Sequence, residues 1–194
     1  MSLIVRGIKT TYHSYMASTT LATLGGGCYW CLEAFYQRVN GVSSVTSGYS
    51  GGHVDNPTAE RVYRGDTEHA EVVQLSFDPK IISYEEILQI FYVMHDPTTL
   101  NRQGNDVGDE YRSVIFYHDD AQKEIAERVT KTFAQDLWKD PVVTQIVPLK
   151  KFWPADEYMQ NYYNNNPNVG YCQAIINPKL QKLRQKFAAK LKPA

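Results

Sequence analysis

Two cysteines, Cys28 and Cys31, follow three consecutive glycines and start a segment of helical spacing. A short apolar run precedes the glycines and apolar residues recur with helical spacing over positions 32–39, so the pattern predicts a strand, a tight turn and a helix. A thiol in the first turn of a helix faces unpaired N–H groups and the positive end of the helix dipole, and both stabilise its thiolate. We therefore interpret Cys28 as a nucleophile, with Tyr29 and Trp30 as walls of an apolar pocket beside it.

The C-x-x-C spacing of Cys28 and Cys31 fits four kinds of site. At the start of a helix it is typical of a thioredoxin-like dithiol. A zinc site would need two further ligands, but the chain has one other cysteine, Cys172, and its histidines form no H-x3-5-H pair. A nucleotide-binding loop is disfavoured because Trp30 occupies the last position of G-x-G-x-x-G and no Walker lysine follows. In the fourth kind, Cys28 is a single nucleophile, Cys31 is incidental and Cys172 is a distant resolving thiol.

The clearest strand pattern of the chain, over positions 71–77, includes an acid. Val73, Leu75 and Phe77 share one face of this strand, and Glu71 has the same parity, so its carboxyl group points towards the core. Desolvation raises the pKa of a carboxyl group, which makes it suitable as a general acid. The alternative is that the strand frays here and leaves Glu71 in solvent.

Strands and helices that alternate without a strict βαβ order surround these residues. We therefore expect an α+β fold, a two-layer α/β sandwich of the ferredoxin-like plait type with long irregular N- and C-terminal extensions. We expect one catalytic domain over 1–194, a surface-wrapping extension at 1–19, and an irregular segment at 150–194 that carries Cys172 and ends in a helix. The other predicted elements are a strand at 42–49, a helix from Ser83 to about His95, a polar loop at 98–110, a strand at 111–117, a long helix capped by Asp119, a strand at 142–149 and a helix from Asn177.

Composition excludes several classes of protein. The net charge is −1, so there is no general attraction to nucleic acid or to an anionic membrane. No apolar run approaches the ~20 residues that span a bilayer, and the N-terminus lacks the apolar centre of a signal peptide. Three cysteines in 194 residues do not suit a disulfide framework. We expect a cytoplasmic protein without a nucleic-acid or membrane partner.

An ordered series of motifs over about residues 20–185 is similar to one known family. The stretch Gly27-Cys28-Tyr29-Trp30-Cys31-Leu32-Glu33 resembles the G-C-F-W-x-x-E signature of type A peptide methionine sulfoxide reductases. The further blocks, in the family's order, are Gly48-Tyr49-Ser50-Gly51-Gly52, Asn56-Pro57-Thr58, His69-Ala70-Glu71, Arg102-Gln103-Gly104-Asn105-Asp106, Tyr111-Arg112-Ser113, Phe152-Trp153-Pro154-Ala155 and Gly170-Tyr171-Cys172.

The resemblance implies a peptide-methionine (S)-S-oxide reductase that acts on free and protein-bound methionine sulfoxide in the repair of oxidative damage. It implies that the Cys28 thiolate attacks the sulfoxide sulfur and that Glu71 gives a proton to the sulfoxide oxygen. Asp106 and Tyr111 match residues that form hydrogen bonds around that oxygen. The aromatic pair after Cys28 matches the wall that receives the methyl group of the substrate.

The resemblance also implies how the enzyme is recycled. Cys28 would be left as a sulfenic acid, which Cys172, on a flexible segment, would resolve as a disulfide. Thioredoxin would then reduce the disulfide by thiol exchange. Cys31 is a secondary thiol in this scheme, and we expect no cofactor, no metal and a monomeric protein.

The chain departs from the family pattern at Ala59, where many members have a tyrosine that hydrogen-bonds the sulfoxide oxygen. Either Tyr111 and Glu71 suffice, or another group such as Tyr49 or Tyr63 reaches the site. Ala59 also keeps open a second class of function, a redox-sensing or methionine-binding module without turnover. Among enzymes, the alternative is a general C-x-x-C oxidoreductase.

Overall fold

A mixed six-stranded sheet organises residues 19–193, the part of the chain that the computed structural model describes. The strands, in chain order, are β1 (Thr20–Gly25), β2 (Val42–Ser50), β3 (Ala70–Phe77), β4 (Arg102–Gln103), β5 (Asp106–Val107), β6 (Val114–Tyr117), β7 (Gln145–Pro148) and β8 (Phe152–Pro154). The sheet order is β7-β6-β1-β3-β2-β8, and β4 pairs with β5 in a separate hairpin. All neighbours in the large sheet are antiparallel except β6 and β7, which are parallel.

Seven α-helices accompany the strands over residues 19–193. They are α1 (Tyr29–Tyr36), α2 (Ala59–Tyr63), α3 (Tyr84–Met94), α4 (Asp120–Val129), α5 (Gln135–Leu137), α6 (Tyr162–Asn165) and α7 (Asn177–Phe187). A π-helical turn, Thr130–Ala134, joins α4 to α5, and a second one, Cys172–Ile176, leads into α7.

Apolar side chains cover both faces of the sheet. The main core lies between one face and helices α1, α3, α4 and α7, and it includes Val73, Leu75 and Phe77, as the strand pattern predicted. Intervening residues of the strands, such as Val72 and Phe116, face a smaller cluster on the opposite side. A cavity of about 550 Å³ on that opposite side is lined by other residues than Cys28 and Glu71.

The predicted α+β class is confirmed, but the two-layer ferredoxin-like plait is not. The sheet is mixed and has six strands, and it carries a parallel strand, β7, at one edge. Since β3 alternates between two apolar clusters, the sheet does not present one covered and one open face.

Local signals place several elements correctly. Asp119 caps α4, and Ser83, where a helix was predicted to begin, forms a capping box with Glu86 at the start of α3. Pro148 ends β7 at the edge of the sheet, where the missing N–H of proline is tolerated. These features depend on neighbours in sequence, which explains why the sequence alone indicates them.

The segment at 150–194 is more regular than predicted. It contains β8, α6 and a helical stretch that begins at Gly170 and runs through the Cys172 turn without a break into α7. Contacts of α6, the Cys172 turn and α7 with α1 stabilise this regular structure. Such contacts join residues far apart in sequence and leave no local periodicity.

The predicted surface-wrapping extension at 1–19 lies, except for residue 19, outside the described residues. Within 19–193 no helix has the length and apolar character needed to cross a membrane. A single catalytic domain stays a prediction.

Candidate active site

The turn between β1 and α1 places Cys28 at the start of the helix. Gly27 has a φ of +92°, and a Cβ atom there would lie 2.5 Å from Cγ of Gln103, so only glycine fits without strain. Cys28 is the N-cap residue of α1, and its carbonyl oxygen accepts a hydrogen bond from the N–H of Cys31 at 3.0 Å. The predicted strand, turn and helix are confirmed, and the thiol is 7% exposed.

The two cysteines of the pair have opposite pKa shifts. Burial, a hydrogen bond with Cys31 and the nearby carboxyl group of Glu71 raise the pKa of Cys28 well above its ordinary value. The hydrogen bond from Cys28 and the ammonium group of Lys179 lower the pKa of Cys31 to about 6. Burial beside a carboxyl group thus opposes the stabilisation that the helix N-terminus gives to a thiolate at Cys28.

Glu71 is buried next to Cys28, as its parity in the strand predicted. The side chain is 1% exposed, and Oε2 accepts a hydrogen bond of 2.9 Å from the backbone N–H of Tyr29. Burial raises the pKa of Glu71 to about 8, although hydrogen bonds from Tyr29 and from the Tyr63 hydroxyl act in the opposite direction. The alternative of a solvent-exposed carboxylate is excluded, and at neutral pH the group holds a proton that it can donate.

Four tyrosine hydroxyls gather around this carboxyl group. The hydroxyl of Tyr29 lies 3.1 Å from that of Tyr49 and 3.5 Å from that of Tyr63. Burial, the Glu71 carboxyl and the Cys28 thiol raise the pKa of Tyr111, which places its phenol beside the acid and the cysteine. Both tyrosines considered as substitutes at the site, Tyr49 and Tyr63, therefore belong to this cluster.

Asp106 reaches the site through a residue that the sequence analysis did not single out. The hydroxyl of Tyr171 donates a hydrogen bond of 2.9 Å to Oδ2 of Asp106 and lies 3.8 Å from Sγ of Cys31. Tyr171 and Asp106 also line a cavity of about 410 Å³ together with Lys179. In the sequence, only the position of Tyr171 directly before Cys172 indicated that this residue lies near the site.

Trp30 and Glu33 connect α1 to the C-terminal segment. The Trp30 ring stacks on Tyr162, with ring centroids 3.6 Å apart and an interplanar angle of 5°. The carboxylate of Glu33, which is 1% exposed, accepts hydrogen bonds from the backbone N–H groups of Asn161 at 2.7 Å and Tyr162 at 3.1 Å. No role was predicted for Glu33, although it is a charged residue within an otherwise apolar helix and is the last residue of the signature.

Cys172 is fully buried at the first position of its π-helical turn. The flexibility of this segment stays a prediction. Burial and the nearby Cys31 raise the pKa of Cys172. All three cysteines are free and belong to the main core. Cys31 lies close enough to influence both Cys28 and Cys172.

The arrangement unites a thiol, a protonated acid and several hydroxyl donors in a buried site. Residues 19–193 contain no group of three or more His, Cys, Asp or Glu side chains suited to hold a metal ion. Cys28 and Glu71 themselves offer thiol chemistry and general acid chemistry. A thiol beside a proton donor can accept an oxygen atom from a substrate whose oxygen needs a proton to leave.

Comparisons with known proteins agree with the geometry. The model of the peptide methionine sulfoxide reductase family matches residues 20–191. A protein of Polynucleobacter asymbioticus named peptide methionine sulfoxide reductase MsrA is 52% identical over 173 residues, which cover 89% of this chain and 91% of that protein. The crystal structure of Mxr1 from Saccharomyces cerevisiae in reduced form is 36% identical and has a TM-score of 0.73, over 79% of this chain and 89% of the other. Mxr1 in complex with Trx2 is 28% identical and has a TM-score of 0.52, over 79% and 91% of the two chains.

Proposed function

The chain belongs to the peptide methionine sulfoxide reductase family, whose members are oxidoreductases, and we propose that it reduces methionine-S-sulfoxide, free or in proteins, to methionine. The observation that carries this proposal is the buried, protonated carboxyl group of Glu71 beside the thiol of Cys28. A sulfoxide oxygen must gain a proton as its bond to sulfur breaks, and Glu71 is in a state to supply it at neutral pH.

The first step transfers the oxygen atom from the substrate to Cys28. Cys31 accepts the Cys28 proton through the hydrogen bond between the two thiols, and the resulting thiolate attacks the sulfoxide sulfur. Glu71 protonates the sulfoxide oxygen while the sulfur–oxygen bond of the substrate breaks. The products are methionine, reduced by two electrons, and a sulfenic acid on Cys28.

Hydrogen bonds and aromatic walls orient the substrate in this step. The site of the sulfoxide oxygen is surrounded by Tyr111 and by the hydrogen-bonded pair of Asp106 and Tyr171. Tyr111 lies near Glu71 and Cys28, and the Tyr171 hydroxyl lies near Cys31. Tyr29 and Trp30 form the apolar wall for the methyl group, and Trp30 is held in place by its stack on Tyr162.

In the second step, Cys172 attacks the sulfenic acid and releases water, which leaves a Cys28–Cys172 disulfide. Because Cys172 is fully buried in a helical turn, we propose that this turn opens to bring the two sulfur atoms together. Thioredoxin then reduces the disulfide by thiol exchange, which regenerates two thiols. The complex of Mxr1 with Trx2 supports this choice of reductant.

The proposal is tested by incubating the protein with acetylated methionine-S-sulfoxide and dithiothreitol and measuring the acetylated methionine formed. We expect multiple turnovers by the wild-type protein and none by Cys28→Ser. Binding of the sulfoxide without turnover would instead show a sensing or binding module. The R epimer is the matched control, and its reduction at an equal rate would contradict the proposed specificity.

The general C-x-x-C oxidoreductase remains the competing enzyme, because Cys28 and Cys31 share a hydrogen bond and the pKa of Cys31 is low. Mass spectrometry of the protein after one round of sulfoxide reduction separates the two. A stable Cys28–Cys31 disulfide favours the general oxidoreductase, and a Cys28–Cys172 disulfide favours the reductase proposed above.

A further inference from the structure

We propose that Tyr63 is a positioning residue for the acid of the reaction: its hydroxyl holds the Glu71 carboxyl group in place and stabilises it as its proton leaves. This inference rests on the proposed reduction of a sulfoxide. It assigns a role to a residue outside the motifs that carry the family resemblance, on the short helix α2.

The position of Tyr63 differs from that of the other phenols in the cluster. Tyr29 and Tyr49 are at most 1% exposed, whereas Tyr63 is 43% exposed. Its hydroxyl nevertheless points inwards, because it lies 3.5 Å from the hydroxyl of Tyr29. It is also near enough to the Glu71 carboxyl group to lower the pKa of that group. Tyr63 thus extends from the surface to the acid and forms the outer wall of the site.

The short helix α2 explains how the phenol reaches the acid. Ala59 and Tyr63 are the first and last residues of α2, four positions apart, so they lie on the same side of the helix. Ala59 is 8% exposed and contributes only a methyl group to this side. The phenol on this side of α2 is therefore that of Tyr63, one helical turn after Ala59.

The surroundings of Glu71 indicate what the hydroxyl contributes. The groups that face this carboxyl are the phenols of Tyr29, Tyr49, Tyr63 and Tyr111, the Cys28 thiol and the carboxyl groups of Asp106 and Glu110. The two acids disfavour the ionised form of Glu71, and burial disfavours it more strongly. The donors that oppose this effect are the backbone N–H of Tyr29 and the hydroxyl of Tyr63.

These contacts give Tyr63 a defined chemical effect. When Glu71 gives its proton to the sulfoxide oxygen, a carboxylate forms in a buried site, and a hydrogen bond to an ionised group is stronger than one to a neutral group. The Tyr63 hydroxyl therefore stabilises the product of the proton transfer more than the starting state, which accelerates the step. Without this donor Glu71 becomes a weaker acid with a higher pKa.

The test compares the wild-type protein with Tyr63→Phe, which keeps the ring and removes the hydroxyl. We expect kcat for acetylated methionine-S-sulfoxide with dithiothreitol to fall about tenfold while KM changes less than twofold, and the alkaline limb of the pH–rate profile to move to higher pH. Tyr158→Phe, which alters another exposed phenol, is the matched control and should leave both readouts unchanged.

A second measurement does not depend on turnover. Infrared difference spectroscopy follows the carboxylic acid band of Glu71, identified by its loss in Glu71→Gln, and its titration midpoint should be higher in Tyr63→Phe than in the wild type. An unchanged midpoint overturns the inference, and so does a pH–rate profile of Tyr63→Phe that coincides with the wild-type profile. If the wild-type protein itself fails to reduce the sulfoxide, the proposed function fails, whereas an active wild type with an unaltered variant refutes only the role of Tyr63.

Discussion

Neutral groups predominate where the reaction is proposed to occur. Burial disfavours the charged forms of both Cys28 and Glu71, so the thiol and the carboxylic acid are both protonated at neutral pH in this state. The pKa of Cys31 is lowered instead, by a hydrogen bond from Cys28 and by the charge of Lys179. In the proposed reaction the nucleophile gains its charge when its proton moves to Cys31, and the acid already holds its proton before the substrate binds.

Replacement of the acid should affect chemistry more than binding. For Glu71→Gln we expect kcat to fall by about 10²-fold or more with KM little changed, because general acid catalysis contributes roughly 10²–10⁴-fold. The wild-type rate should fall as the pH rises through about 8, where Glu71 loses its proton. Steady-state kinetics over pH 6–10, with the exposed Glu60→Gln on α2 as control, would measure both effects. A variant that retains the wild-type alkaline limb would rule out Glu71 as the acid.

The three cysteines should differ in their effect on turnover. Cys28→Ser should abolish reduction. Cys172→Ser should release about one methionine per enzyme with thioredoxin as reductant, because the sulfenic acid on Cys28 is no longer resolved. Cys31→Ser should still turn over with thioredoxin, more slowly, since Cys28 loses its proton acceptor. The measurement is methionine released per enzyme. Normal recycling by Cys172→Ser together with failure of Cys31→Ser would show that Cys31 is the resolving thiol.

At the scale of elements, α1 connects the site to the end of the chain. Its first turn carries the cysteine pair, and Trp30 stacks on Tyr162 of α6. One turn further along, Glu33 binds the two backbone N–H groups at the start of α6, groups that a short helix leaves unpaired. The position of the segment that leads to Tyr171 and Cys172 thus depends on contacts made by α1.

The role of Glu33 leads to a stability prediction. Glu33→Gln keeps one acceptor oxygen but turns an amide N–H₂ towards a backbone donor, which leaves a buried N–H without a partner. We expect a loss of about 1–3 kcal/mol in the free energy of unfolding, measured by urea denaturation. Glu157→Gln, an exposed acid in the same C-terminal segment, is the control and should change stability by less than about 0.5 kcal/mol. Equal effects of the two variants would contradict the anchoring role of Glu33.

At the scale of the whole molecule, the buried acid should make stability depend on pH. The pKa of Glu71 is about 8 in the folded protein and about 4.3 in an unfolded chain, so the folded state binds the proton more tightly between these values. The stability that proton binding by Glu71 contributes is therefore fully present below pH about 4.3 and is lost as the pH rises through about 8.

This linkage is tested by comparing the wild type with Glu71→Gln. Between pH 5 and pH 9 the wild-type protein should lose stability relative to the variant, by on the order of a few kcal/mol, because the glutamine has no proton to lose. Thermal or urea denaturation over this pH range measures the difference in stability between the two proteins directly. All three cysteines should be blocked or reduced in the same way in both. Parallel stability curves of the two proteins would show that Glu71 has an ordinary pKa in the folded state.

Much of the fold and the centre of the site were predictable because their signals are local. The glycine turn before Cys28, the cap at Ser83 and the parity of Glu71 in its strand all depend on residues within a few positions of one another. The family resemblance added Asp106 and Cys172, whose local sequence indicates only a turn and a lone thiol. The α+β class followed from the order of strands and helices.

The sequence by itself therefore predicted the residues that we propose for the chemistry, whereas the tertiary structure decided their burial, their partners and the direction of their pKa shifts. Glu71 meets the N–H of Tyr29 across 42 positions, and Glu33 meets Asn161 across 128. Contacts of this range leave no periodicity in the sequence, so the parallel strand β7, the helical Cys172 turn and the inward hydroxyl of Tyr63 emerge only in the folded molecule. Protonation depends on burial and on neighbouring charges together, which is why the pKa of Cys28 is raised and that of Cys31 is lowered only in the folded molecule.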